Sequence, residues 1–199
     1  MKIGIFGGTF DPPHIGHLIL AAEAQEQLGL NRVLWVLTPY PPHKQNQKIS
    51  ALADRMSMVL LAVAGNTNFS LSRVDIDRQP PHYALDTMNL LKKASPRDSF
   101  IYLMGADSLN DLLTWHEPKQ FVSACEGLGI MRRHGETLDT KKLKKEIPGL
   151  DEKLLILETP FIEVSGSDIR KRVKENKQFR YLVPDMVYHF ILNHKLYQV

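Results

Sequence analysis

The chain has 199 residues, 43% of them hydrophobic, and its 25 Lys and Arg against 22 Asp and Glu give a formal net charge of +3. This length fits one domain, spanning residues 1–199, and the small charge argues against a general nucleic-acid surface. The single cysteine, Cys125, excludes an intrachain disulfide, and no run approaches the roughly 18 apolar residues of a membrane span, so we expect a cytoplasmic protein with no leader segment and no membrane partner.

Apolar strands alternate along the chain with segments of helical period. The predicted strands are Lys2 to Phe6, Val33 to Leu37, Phe69 to Asp75, Phe100 to Met104, Gly127 to Met131 and Leu154 to Leu157. The predicted helices are one whose first turn holds His14 and His17, then Leu52 to Ala64, Tyr83 to Ala94, Ser167 to Glu175 and Pro184 to His194. This alternation predicts a Rossmann-like, doubly wound α/β fold with a mostly parallel sheet and helices on both faces.

A glycine turn and two histidines follow the first strand. Gly7 and Gly8 break the strand, and His14 and His17 fall at positions i and i+3 of the next helix start. The N–H groups and the positive dipole end there favour anions, so both imidazoles can face one phosphate chain. Gly16 leaves room for a base or ribose on the helix backbone. The residues alone leave a capping or surface role open.

Other phosphate motifs are absent from the sequence. It contains no G-x-x-x-x-G-K-[ST] segment, and the glycines near Gly4 do not match the G-x-G-x-x-G fingerprint. The predicted site is therefore neither a P-loop nor a standard dinucleotide fingerprint.

Further candidate residues follow later strands. The prolines before Lys44 stiffen a loop that would deliver this lysine to the crevice as a phosphate clamp. Asp107 can cap a helix or hold a ribose hydroxyl, and Trp115 can plug the core or stack on a planar ring. We expect Cys125 to be a small buried hydrophobe. The basic run from Lys141 to Lys145 has the pattern of a solvated helix face.

Two segments resemble the HIGH-motif nucleotidylyltransferase superfamily. Residues 7–17 are similar to its first signature, G-G-T-F-D-P-x-H-x-G-H, and Val164 to Arg170 resembles its second, I-S-x-[ST]-x-I-R. The resemblance implies catalytic roles for His14, His17, Lys44 and Arg170. It further implies ATP binding by Gly7, Gly8, Thr9, Phe10, His14, Gly16, His17, Gly105, Asp107, Ser165, Ser167, Ile169 and Arg170.

Almost the whole chain is similar to the bacterial nicotinate mononucleotide adenylyltransferases. The matching features are P-P-H-K at 41–44, G-A-D-S at 105–108, the Thr114-Trp115 pair, the Arg132-Arg133 pair and the segment from Tyr181 to Tyr197. The chain departs from the family pattern at His82, Ala84, His116 and His134. The implied residues for the mononucleotide are Lys44, Tyr83, Ala84, Thr87, Trp115, His116 and Arg133.

This resemblance implies adenylyl transfer from ATP to nicotinate mononucleotide, with Mg²⁺ bound mainly through ATP and no dedicated metal site. Two alternatives stay open at this stage. A pantetheine-phosphate adenylyltransferase or a glycerol-phosphate cytidylyltransferase would share both signatures but not the Trp115 loop or the Tyr181 to Tyr197 segment. A nucleotide-binding module without catalysis is the other alternative, and the sequence leaves open whether the chain forms a homo-oligomer.

Overall fold

Six parallel strands form one sheet in the described part of the chain. The computed structural model describes residues 1–41, 49–131, 140–160 and 162–198. The strands are β1 (Lys2–Gly8), β2 (Arg32–Leu37), β3 (Phe69–Ser72), β4 (Ser99–Gly105), β5 (Gly127–Met131) and β6 (Leu154–Leu157). Their order across the sheet is β3-β2-β1-β4-β5-β6, and each neighbouring pair is parallel.

Helices connect these strands. They are α1 (Ile15–Gln27), α2 (Leu52–Val63), α3 (Ala84–Ala94), α4 (Ala106–Asn110), α5 (Pro118–Ala124), α6 (Thr140–Glu146), α7 (Leu150–Lys153), α8 (Gly166–Lys174) and α9 (Asp185–Asn193). Short 3₁₀ turns lie at Leu112–Thr114 and Arg180–Leu182. None of these helices is long and apolar enough to cross a membrane. The predicted doubly wound α/β fold is confirmed.

The two faces of the sheet bury separate hydrophobic cores, as the alternation of side chains along each strand requires. One core contains Ile5 of β1 with Met88 of α3 and Phe121 of α5. The other contains Phe6 of β1 with Leu20 of α1 and Val59 of α2. A third cluster joins the far side of α2 to α8 and α9 through residues such as Met58, Ile169 and Val187. Through it the end of the chain packs against the rest of the fold.

The predicted third strand was too long. It ends at Ser72 because the sheet register with β2 stops there, and the chain then turns, with the Asp77 N–H donating to the Arg73 carbonyl. The predicted start of α8 at Ser167 was also wrong. Ser165 is the N-cap, and its hydroxyl accepts the N–H of Asp168 at 3.1 Å. The helix expected to follow Asp107 begins at Ala106 instead, and the short helix α7 was not predicted.

Two minor predictions are confirmed. Cys125 is buried, and burial raises the pKa of its thiol to about 12, as expected for a small core residue rather than a nucleophile. In α6, Leu143 packs into the core while the lysines on either side of it are exposed, so the basic run is a solvated helix face.

A lysine from a distant segment caps the carboxyl end of α5. The ammonium of Lys153 donates to the carbonyls of Val122, Ser123 and Cys125, at 2.9, 3.3 and 2.7 Å. The last carbonyls of a helix lack the usual i+4 partners, although the Val122 carbonyl also accepts the Cys125 N–H at 3.2 Å, and the negative end of the helix dipole attracts a cation. Lys153 therefore joins α5 to the start of β6.

Replacing Lys153 by Met keeps the aliphatic stem and removes all three hydrogen bonds. We expect a loss of about 1–3 kcal/mol in the free energy of unfolding, seen as a fall of several degrees in Tm. Lys142→Met on the exposed face of α6 is the matched control and should leave Tm within a degree or two. Equal Tm values for the two variants in thermal denaturation would show that Lys153 does not stabilise α5.

Candidate active site

The main cleft lies where the strand order reverses. It has a volume of about 680 Å³ and opens at the carboxyl ends of β1 and β4, between which the sheet turns from one winding direction to the other. Open α/β sheets bind ligands at this position because adjacent loops diverge there. The cleft is lined by both signature segments and by residues from the loops that precede α3 and α5.

The first signature lines one end of the cleft, which we call the phosphate end because the sequence predicts that the ATP phosphates bind there. His14 is the N-cap of α1, and its backbone N–H donates to Nδ1 of His17 at 3.2 Å. The two imidazole rings are stacked, with centroids 3.6 Å apart. His17 therefore completes a capping box while its ring lines the cleft, so the capping role and the cleft position occur together.

The glycines of this segment allow close contacts. A Cβ on Gly7 would collide with the hydroxyl of Tyr102, which lines the cleft from β4. Burial raises the pKa of Tyr102, with a further contribution from Asp75, so its hydroxyl stays protonated against the turn. A Cβ on Gly16 would lie 3.2 Å from Nδ1 of His14, so in this structure the His14 ring covers the space that the sequence suggested for a base or ribose.

The second signature meets the first directly. A Cβ on Gly166 would lie 3.0 Å from the carbonyl oxygen of Asp11, and Nη1 of Arg170 donates to the same oxygen at 2.6 Å. The hydroxyls of Ser165 and Ser167 lie 3.0 Å apart on the same wall. Among the described residues that line the cleft, Arg170 is the one lysine or arginine.

Asp107 and Gly105 lie at the end of β4, on the cleft wall. Gly105 is the N-cap of α4, so Asp107 is not the cap; instead its Oδ1 accepts the N–H of Ser108 at 2.9 Å. Its carboxylate thus stabilises the start of the short helix from inside the first turn. Asp107 lines the cleft, and its role in holding a ribose hydroxyl stays a prediction.

The opposite end of the cleft is aromatic. The rings of Tyr83 and His116 stack with centroids 4.0 Å apart, and both line the cleft. Trp115 is half-buried: it packs edge-on against Tyr102 and also contacts Phe121. It therefore both closes the core and lines the cleft. Ala84 begins α3, whose N-cap Tyr83 provides no side-chain cap, so backbone N–H groups are available there.

His82 is the buried residue of this end. It is 5% exposed, lines the cleft, and its Nε2 lies 3.4 Å from the Arg78 carbonyl. Its Nδ1 has no hydrogen-bond partner among the residues that the structure describes. If Nε2 carries the proton toward Arg78, Nδ1 is an acceptor that a ligand donor could use.

Two predicted residues do not line the cleft. Thr87 is buried, and its hydroxyl donates to Oδ1 of Asp75 at 2.8 Å, so it stabilises the turn before α3. Ile169 is fully buried in the cluster of α2, α8 and α9. Lys44 and Arg133 lie outside the described residues, as does His134.

Sequence reasoning missed two residues that shape the site. Arg55, which is buried in α2, and Tyr197, which follows α9, both act on the loop between β1 and α1. Arg55 is a charge within an apolar helical pattern, which is a signal for a buried partner. Tyr197 was part of the family resemblance, but nothing in the sequence indicates what its hydroxyl contacts.

The described residues contain no group of three or more His, Cys, Asp or Glu side chains that could hold a metal ion. Two carboxylates line the described part of the cleft, from Asp11 and Asp107. Both oxygens of Asp11 accept hydrogen bonds from the protein. The donor set is imidazole, guanidinium, hydroxyl and backbone N–H, which suits anionic oxygens.

The fold and this donor set define a nucleotide-binding α/β protein, and comparison with known families makes the class more specific. A family model described as cytidylyltransferase-like matches residues 5–172. A solved structure of a nicotinic acid mononucleotide adenylyltransferase from Plasmodium falciparum, complexed with NaAD, has the same fold, with a TM-score of 0.81 and 18% identity over 98% of this chain and 97% of that chain.

Relatives that are similar in sequence over almost the whole chain identify the family. The chain is 41% identical to a probable nicotinate-nucleotide adenylyltransferase of Thermomicrobium roseum, over 99% of this chain and 92% of that protein. It is 36% identical to the nicotinate-nucleotide adenylyltransferase of Bacillus subtilis, over 99% of this chain and 98% of that protein. The chain belongs to the nicotinate-nucleotide adenylyltransferase family, which confirms the resemblance inferred from its motifs.

Proposed function

We propose that this protein transfers the adenylyl group of ATP to nicotinate mononucleotide, forming nicotinate adenine dinucleotide and pyrophosphate. The observation that carries the proposal is the meeting of both signature segments, through Arg170 and Asp11, at the polar end of a cleft with an aromatic far end. Membership in the nicotinate-nucleotide adenylyltransferase family supports the same substrates. A pyrophosphate-release assay with ATP and nicotinate mononucleotide tests it.

The two ends of the cleft suit the two parts of the reaction. The donors of His14, His17, Ser165 and Arg170 surround the space where a triphosphate would lie. At the other end Tyr83, Trp115 and His116 offer aromatic faces for a pyridine ring, and the first N–H groups of α3 could receive its carboxylate.

The chemistry needs alignment and neutralisation of charge rather than a covalent intermediate. The phosphate of the mononucleotide is already an anion, so it can attack the α-phosphorus of ATP in line while pyrophosphate leaves. The obstacle is repulsion between two polyanions. His17, Arg170 and, by family resemblance, Lys44 would stabilise the charge that develops on the transferred phosphoryl oxygens. The hydrogen bond from Arg170 to Asp11 fixes the guanidinium before substrate arrives.

Mg²⁺ fits this cleft as a partner of the triphosphate. Because the two cleft carboxylates bond to the protein, the described residues offer no cage, and the phosphate oxygens would supply most of its ligands. When bound, the ion would offset negative charge on the triphosphate. Mg²⁺ dependence and a cytoplasmic location remain predictions.

His17→Ala should lower kcat by about 10²–10³, the loss typical of one transition-state donor. The substitution also opens the capping box of α1, so a fall in stability of about 1 kcal/mol is expected alongside. His17→Gln is the matched control because Gln at this position keeps the capping box, and it should recover the Tm. Steady-state kinetics and thermal denaturation of both variants make the test. A near-normal kcat in His17→Ala would remove the ring from the mechanism.

Arg170→Lys should impair use of ATP although the charge is kept. A lysine cannot both donate to the Asp11 carbonyl and present a planar pair of donors to phosphate. We expect kcat/KM for ATP to fall by about 10-fold or more, with a smaller change in KM for the mononucleotide. Lys171→Arg, one residue further along α8, reverses the exchange and should leave both parameters unchanged. ATP kinetics equal to wild type in Arg170→Lys would make Arg170 structural only.

Nicotinate mononucleotide should be preferred over its amide form by about 10 to 200-fold in kcat/KM. In a site made only of hydrogen-bond donors, the amide –NH₂ would face another donor and have no acceptor. The comparison is made at equal ATP and Mg²⁺. Equal values, or a preference for the amide, would contradict a donor-only site and point to His82 or His116 as an acceptor. His82→Phe then discriminates, since it removes Nδ1, which has no hydrogen-bond partner among the described residues. ATP binding without turnover of either mononucleotide would favour the module without catalysis.

A further inference from the structure

Asp11 connects three segments that are far apart in sequence. Its Oδ1 accepts a hydrogen bond of 2.6 Å from the hydroxyl of Tyr197, and its Oδ2 accepts the N–H of Ser50 at 3.2 Å. Its backbone carbonyl accepts the bond from Arg170. Asp11 is 7% exposed, so these protein contacts take the place of water around its carboxylate.

Tyr197 is built to donate this hydrogen bond. Burial raises the pKa of its hydroxyl, and the negative charge of Asp11 raises it further, so the proton stays on the oxygen. The residue has a φ of +64°, in the left-handed region that side chains with a Cβ seldom adopt. The Leu196 N–H donates to the Ile191 carbonyl, and the ring packs in the cluster of α2, α8 and α9. The surrounding contacts therefore hold an unfavourable backbone so that the hydroxyl reaches Asp11.

The link continues from Asp11 to the predicted phosphate donor. The Asp11 carbonyl takes one N–H of the Arg170 guanidinium at 2.6 Å, and Gly166 leaves no space for a side chain between the two segments. A shift of Asp11 would move this carbonyl, and the guanidinium with it. A displacement of this kind at a transition-state donor is costly because reacting groups must be held within a fraction of an ångström.

We propose that Tyr197 is a positioning residue for ATP: by fixing Asp11 it sets the orientation of Arg170 in the cleft. Tyr197 is not among the residues that line the cleft, so its effect would pass through Asp11. This inference rests on the proposed function for its kinetic consequences. A residue that merely anchored the segment after α9 would contribute to stability without any selective effect on ATP.

Tyr197→Phe tests the proposal because it removes the hydroxyl and keeps the ring. We expect kcat/KM for ATP to fall by about 10-fold, comparable to the loss of a hydrogen bond to a charged group, while KM for the mononucleotide stays within about twofold. Tyr188→Phe is the matched control, since Tyr188 belongs to the same cluster and packs on Phe179 away from Asp11. It should leave both parameters unchanged. Equal ATP kinetics for Tyr197→Phe and wild type would overturn the proposal.

A double-mutant cycle separates positioning from general stability. In an Arg170→Lys background, Tyr197→Phe should cost less than about twofold, because the group that it orients has already been altered. Fully additive losses would overturn the proposal. Calorimetric titration of Mg²⁺ and ATP alone into the same variants supplies a readout without an acceptor. A wild type that binds ATP but releases no pyrophosphate would refute the proposed function, and the calorimetric affinities would still decide the role of Tyr197.

Discussion

The shape of the cleft depends on one buried arginine. Arg55 is 2% exposed. Its guanidinium donates hydrogen bonds of 2.8 to 3.1 Å to the carbonyls of Thr9, Thr38, Pro39 and Ser50. These carbonyls belong to the loops after β1 and β2 and to the approach to α2. Burial lowers the pKa of Arg55, and the nearby charge of Asp11 opposes that shift, so the charge is kept. Three irregular segments thus obtain the backbone partners that a strand or helix would otherwise supply.

The hydrogen bonds of Arg55 also fix the loop that forms the phosphate end of the cleft. Arg55 holds the carbonyl of Thr9, and two residues later Asp11 holds Ser50, Tyr197 and Arg170. Donors fixed in this way need little reorganisation when charge develops on a phosphoryl group, which is where electrostatic catalysis gains most. His17 is fixed in a similar way, because its Nδ1 accepts the His14 N–H in the capping box while its ring lines the cleft. A site for two polyanions can therefore be built mainly from side chains that hydrogen bonds to the backbone hold in place.

The features that could be predicted from the sequence are those that contacts between nearby residues determine. The six strands, the start of α1 at the two histidines and the order of the two signature segments were all accessible because period, glycine and capping signals act within a few residues. What the sequence could not provide were contacts between distant positions. Thr87 was expected at the substrate because of its place in a motif, yet Asp75 takes its hydroxyl, and nothing local indicates that bond. Tyr197 and Asp11 are 186 positions apart, so their hydrogen bond follows only from the tertiary fold.

The two ends of the cleft are held by different forces, and this has consequences for how the family can vary. The phosphate end is fixed by directional hydrogen bonds to backbone, where a single substitution leaves a buried group without a partner. The aromatic end is held by ring contacts, such as the stack of Tyr83 on His116, which depend less on exact geometry. Three of the four departures from the family pattern, His82, Ala84 and His116, line this end of the cleft, and the fourth, His134, lies outside the described residues. Under the proposed function, the residues that contact the pyridine ring can therefore change while the groups that would align the phosphates stay in place.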